Sequence, residues 1–139
     1  MSTAKPRRPA AKAARPPLTV WVFMAASWLL GWWMAFDGLH QRLWGDYIRL
    51  NGQLGPWADL AHSAGVDPQS LSFIFVAVGT GLLGASFGLF FRRRWGFATS
   101  LMLLAPGLLY LGFGAPLAML CIAMLLLPAT RRYLVPPLA

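Results

Sequence analysis

Between residues 18 and 36 the chain carries no charged side chain, and the same holds over 68–91 and over 95–130. Apolar runs of this length suit a hydrocarbon solvent. In hydrocarbon every backbone N–H and C=O must find its partner within the chain, and an α-helix achieves this inside one segment. A helix over 18–36 rises about 28 Å, close to the roughly 30 Å of a bilayer core. Composition agrees: hydrophobic residues make up 58% of the chain and charged residues 12%, against about 25% charged in a soluble domain. The expected fold is all-α. It is a polytopic membrane protein with four transmembrane helices, over 18–36, 68–91, 95–113 and 116–133. An amphipathic outer loop over 37–67 joins the first two. Residues 1–17 are expected to form a disordered basic tail and 134–139 a short C-terminal tail. The length of 139 residues fits one domain.

The formal charge of +8 invites a nucleic-acid reading, which the distribution of charge excludes. Lys5, Arg7, Arg8, Lys12 and Arg15 precede the first apolar run. Arg92, Arg93 and Arg94 separate the second and third, and Arg131 and Arg132 follow the fourth. All four acids, Asp37, Asp46, Asp59 and Asp67, share the 37–67 segment with Arg42 and Arg49. Lys and Arg collect beside helix ends on the cytoplasmic face. The pattern therefore predicts the inner cell membrane, with both termini cytoplasmic. Trp21, Trp32, Trp33, Trp44, Trp57 and Trp95 fall near the ends of apolar runs, where indoles anchor at the headgroups. Trp28 sits at mid-depth and is expected to pack on a neighbouring helix.

The 37–67 segment is too long for a structureless connection. Leu39, Leu43, Tyr47 and Leu50 recur at helical spacing, with His40, Trp44 and Ile48 beside them, so helix one is expected to continue along the interface. Asn51 to Pro56, "NGQLGP", ends it. A short helix from Pro56 to Gly65 follows, with Trp57, Leu60, Ala61 and Ala64 as its apolar face. Asp67-Pro68 is a helix start, a capping acceptor followed by proline at the first position. Gly84-Ala-Ser-Phe-Gly88, with Gly81 one turn earlier, is a GxxxG-type surface for helix packing within the chain or between copies. Pro106-Gly107 is expected to kink span three, and Pro128 lies inside a short span four.

The uncharged spans argue against a proton pathway, and no phosphate-binding loop, dinucleotide fingerprint or nucleophile–base set is present. Cys121, alone in its run, is expected to be an apolar filler. The chemistry-bearing candidates are Asp37-x-x-His40 and Asp59-x-x-His62. On helices each pair shares a face and would supply ligands to a metal. His40 beside aromatic rings would also suit a quinone carbonyl. The plainer alternative makes Asp37 and His40 the point where span one reaches water. Arg42, Asp46 and Arg49 stand at spacings of four and three, suited to an ion-pair ladder.

Gly31, Gly38 and "HQRL" (His40 to Leu43), then "GPWADLAHSAGVDP" and "RRRWG", resemble the layout of DoxX-like small membrane proteins. That resemblance covers about residues 18–133. It implies four helices with a structured connection after the first, and permits a redox accessory role; Arg42 stands near the place of a family lysine. The expected function is that of a non-catalytic accessory subunit or assembly factor of a larger membrane complex, redox or respiratory in character. Its partners would be the bilayer and other membrane subunits or itself, and no cofactor is required. The competing expectation is a quinone- or metal-binding redox subunit using the outer His and Asp residues. A small-molecule transporter or channel ranks below both, because no polar path is visible.

Overall fold

The computed structural model describes residues 15–48, 56–110 and 114–134, with the backbone alone over 56–58. Every regular element within them is helical. α1 is Leu18–Trp44 and α2 is Pro56–Ser63; a 3₁₀ turn, Pro68–Leu71, leads into α3, Ser72–Phe90. α4 is Arg94–Leu109, α5 is Gly114–Leu126 and α6 is Pro128–Leu134. Arg49, Leu50, the side chain of Trp57 and most of both tails lie outside the described residues, and so do the expectations placed on them.

Leu18–Trp44 and Pro68–Phe90 are long and apolar enough to cross a membrane, and α5 with α6 makes a third such span if the bent pair is counted as one. α4, at 16 residues, is shorter than the roughly 20 a span needs. α1 packs on α3 and α5, and α4 packs on the same two helices. Phe23, Leu30, Met34, Phe75, Leu82, Leu104 and Leu125 fill the space between them.

α1 and α3 run antiparallel. Trp21 meets Phe90 edge-on at 5.5 Å, and Trp28 donates from Nε1 to Ser86 Oγ at 2.9 Å, the inter-helix contact expected of it. Further along, a Cβ on Gly79 would fall on the Gly31 carbonyl and the Ala35 backbone, and one on Gly38 would fall on the Ser72 carbonyl. Gly96 of α4 approaches the Gly88–Leu89 backbone in the same way. Small residues do allow the close approach, as expected where lipid gives helices no hydrophobic drive. Of the three expected glycines, Gly81 and Gly88 do pack closely, on α4, and Gly84 does not. A Cβ on Gly84 would meet nothing within 4 Å, one on Gly81 only the Leu103 side chain, and one on Gly88 the Trp95 ring.

Helix one does extend beyond Phe36, but it stops at Trp44. Gly45 adopts φ 84° and its N–H bonds the Gln41 carbonyl at 2.9 Å, a left-handed helix stop that suits glycine. The expected Leu39–Leu43–Tyr47–Leu50 stripe is therefore broken. Leu39 and Leu43 are exposed, while Tyr47 turns back onto Phe75. α2 begins at Pro56, and Gly65 follows its end at φ 68°. Its expected apolar face is only partly realised: Ala61 is buried, Leu60 exposed. Asp67 caps the next helix, its carboxylate accepting from Gln69 N–H at 3.0 Å, though the first turn is 3₁₀.

The Arg92–Arg94 turn closes α3 with two backbone bonds, Arg93 N–H to the Gly88 carbonyl and Arg92 N–H to the Leu89 carbonyl. This is a Schellman pattern, with Arg92 at φ 60° where glycine is usual. The Arg92 guanidinium holds the turn to α6, donating to the Tyr133 carbonyl at 3.0 Å and lying 4.5 Å from the Tyr133 ring centre. Span four does not run straight from 116 to 133. α5 and α6 meet at 61°, because Pro128 has no N–H to continue the ladder. The freed carbonyl belongs to Met124, and the Thr130 hydroxyl reaches it at 2.7 Å.

Candidate functional site

Asp37 lies on α1, one turn beyond Trp33, on the face that meets α3 and looks towards the end of α4. The sequence suggests a carboxylate leaving the membrane. Instead it is buried, with 1% of its surface exposed. The burial follows from its neighbours. Gly38 brings the α3 backbone against α1, and the chain past Gly45 folds back so that Ile48 N–H donates to Asp37 Oδ1 at 2.8 Å. The second oxygen accepts from the Tyr110 hydroxyl at 2.6 Å. Tyr110 directly follows α4, and its hydroxyl oxygen in turn accepts from Trp33 Nε1 at 3.0 Å. One carboxylate thus joins α1, the returning loop and the end of α4.

Aromatic rings enclose these bonds. Phe75 lies edge-on to Tyr110 at 5.5 Å and to Tyr47 at 5.6 Å. The Tyr47 hydroxyl donates to the Pro68 carbonyl at 3.0 Å. Burial, with Asp37 and Asp67 nearby and Arg42 opposing, pushes the Tyr47 phenol up to about 12. Among the described residues no Lys or Arg pairs with Asp37. Both of its oxygens are held by donors, which stabilises a buried carboxylate.

His40, one turn further along α1, stacks on Trp44 at 4.8 Å. Its Nδ1 lies 2.8 Å from the Asp46 carbonyl and 3.6 Å from the Asp46 carboxylate. A carbonyl only accepts, so Nδ1 carries the proton, and in the neutral ring Nε2 is left as an acceptor. A quinone carbonyl, itself an acceptor, would need the ring doubly protonated. Asp59 and His62 lie on the exposed side of α2. Among the described residues no group of three or more His, Cys, Asp or Glu side chains is placed to hold a metal ion. The two Asp-x-x-His pairs, one with its carboxylate buried and satisfied and the other facing outward, form no common ligand set.

Of the expected Arg42–Asp46–Arg49 ladder, the Arg42–Asp46 step does not form among the described residues. The turn at Gly45 takes Asp46 off the helix, and Arg42 lies over the Phe73 ring at 3.4 Å instead. Arg49 is outside the described residues. Of the tryptophans expected as interface anchors, Trp21, Trp32, Trp44 and Trp95 are exposed, Trp32 at 62%. Trp33 is the exception, turned inward to Tyr110. The residues missed from the sequence are thus Tyr110 as the partner of Asp37, Trp33 as the donor to Tyr110, and Gly31, Gly38 and Gly79 as close-approach residues. A signal for the latter is present: Gly31 and Gly38 stand seven apart on one helical face.

Comparison with protein-family profiles, with curated proteins and with solved structures found no match for this chain.

Proposed function

We propose that this chain is a four-span protein of the inner cell membrane, with both termini cytoplasmic, and that it acts as a non-catalytic accessory subunit or assembly factor of a larger membrane complex. The observation that carries this reading is the use made of the interior polar groups. Asp37 with Tyr110 and Trp33, Trp28 with Ser86, and Thr130 with Thr19 each hold one part of the chain to another. They stiffen a scaffold and leave the chemistry to a partner. Large apolar side chains meanwhile face outward along the helices, among them Leu29, Trp32 and Phe36 on α1 and Phe73 and Phe87 on α3. Such surfaces serve lipid or a neighbouring subunit alike. On this reading the chain shares with DoxX-like proteins a structured connection after the first of four spans, and its complex is a redox or respiratory one.

The test is recovery of the tagged chain from its native membranes in mild detergent after gentle cross-linking. A defined set of membrane proteins in fixed ratio to the chain is the expected result. A monomer that carries nothing with it contradicts the proposal.

A further inference from the structure

The helix contacts leave one face of α3 open. Gly84, Phe87, Gly88 and Phe91 follow each other at spacings of three, one and three on that face. With Arg93 and Trp95 they line a groove of about 420 Å³, a size usual for small-molecule sites, about 300–1,000 Å³. The missing side chain of Gly84 opens the groove, with nothing within 4 Å of where a Cβ would stand, while at Gly88 the Trp95 indole packs into that place and forms a wall. Phe87, Phe91 and Trp95 form exposed apolar walls. Charge is confined to the mouth. Arg92 is committed to Tyr133, whereas Arg93 and Arg94 are exposed and, among the described residues, have no partner. All four acids of the chain lie far from this turn in sequence, within 37–67.

We propose that this groove binds one anionic glycerophospholipid, an acyl chain over Gly84 against Phe87 and Trp95 and the phosphate at Arg93. The proposal rests on the membrane reading of these helices and does not depend on the accessory role. An apolar slot that opens on unpaired guanidinium groups matches a lipid tail beneath an acidic headgroup. Trp95 at the same level suits the headgroup boundary. A second copy of the chain fits less well, because symmetric docking here would bring two Arg92–Arg94 turns together.

The test is native mass spectrometry of the full chain in mild detergent, offered phosphatidylglycerol and phosphatidylcholine with the same acyl chains in equal amounts. Wild type should retain one phosphatidylglycerol in preference to phosphatidylcholine. Gly84→Leu fills the slot from a position with free space around it, so it should stay folded and lose retained lipid of both kinds. Arg93→Gln should still take lipid but discriminate about fivefold less, the worth of one basic residue at an anionic surface. Arg131→Gln removes the same charge from α6 and should behave as wild type. Equal retention of the two lipids, undiminished phosphatidylglycerol on Gly84→Leu, or equal loss in the two arginine variants overturns the proposal. So does a dimer that excludes lipid. A chain that stays in aqueous solution without detergent sinks the membrane reading as well, whereas one that needs detergent yet shows no preference sinks only the site.

Discussion

Asp37 holds together segments that lie 11 and 73 residues away along the chain. A hydrogen bond to a charged group is worth about 1.5–3 kcal/mol, and a buried donor left without a partner costs about 1–3 kcal/mol. Tyr110→Phe should therefore lower stability in detergent by about 1.5–3 kcal/mol. The same change in an Asp37→Asn background should cost clearly less, because the charge that strengthens the bond is gone; the double-mutant cycle measures the coupling. Additive effects would show that the contact contributes little. Tyr47 supplies a pH dependence. Its phenol titrates at about 12 in the folded chain against 10.0 ordinarily, so the folded state holds the proton more tightly than the unfolded state. Its contribution to stability is complete below pH 10 and is lost as pH rises towards 12. Thermal unfolding of Tyr47→Phe should show a shallower decline over that interval than wild type does. Asp37 stands out in the sequence because acids are so few. Its role was hidden because it sits where polarity begins along α1, and its partner Tyr110 is separated from it by most of the chain.

Among the helices, the same physics assigns opposite outcomes to two glycines of α3. Gly79 faces the α1 backbone, so Gly79→Leu should force the helices apart and cost about 1–3 kcal/mol or more. Gly84 faces open space, and Gly84→Ala should be neutral or stabilising by up to about 1 kcal/mol through helix propensity alone. Chemical or thermal unfolding of the two variants in detergent checks the contrast, and equal effects would contradict the assigned contacts. The break between α5 and α6 makes a further prediction. Thr130 has one hydroxyl proton, given to the Met124 carbonyl, so the Thr19 hydroxyl, at 2.8 Å, donates in its turn to Thr130. Thr130→Val keeps the shape but strands that carbonyl in a buried site, and should cost about 1–3 kcal/mol. Helix starts were readable from local chemistry, as at Pro56 and at Asp67-Pro68. The glycine surface was readable only in part, because a GxxxG spacing gives a face without naming its partner: Gly81 and Gly88 meet α4, Gly79 meets α1, and Gly84 meets nothing. The end of α1 is hidden for a related reason. Apolar periodicity continues past Gly45, where a single left-handed residue ends the helix.

For the whole molecule, charge and hydropathy outline the membrane protein, and packing decides how the spans are joined. Two helices have the length and composition to cross a bilayer, with α5–α6 as a bent third. The four-span arrangement proposed above would place the Arg92–Arg94 turn and Arg131 on one side and the acidic 37–67 segment on the other. Cysteine accessibility tests this most directly, with Cys121→Ala removing the buried native thiol. Ser63→Cys, on exposed α2, should react with a membrane-impermeant thiol reagent applied to intact cells. Arg93→Cys and Arg131→Cys should react only after the membrane is opened. Labelling of all three from outside, or of Arg93→Cys alone, would contradict the arrangement.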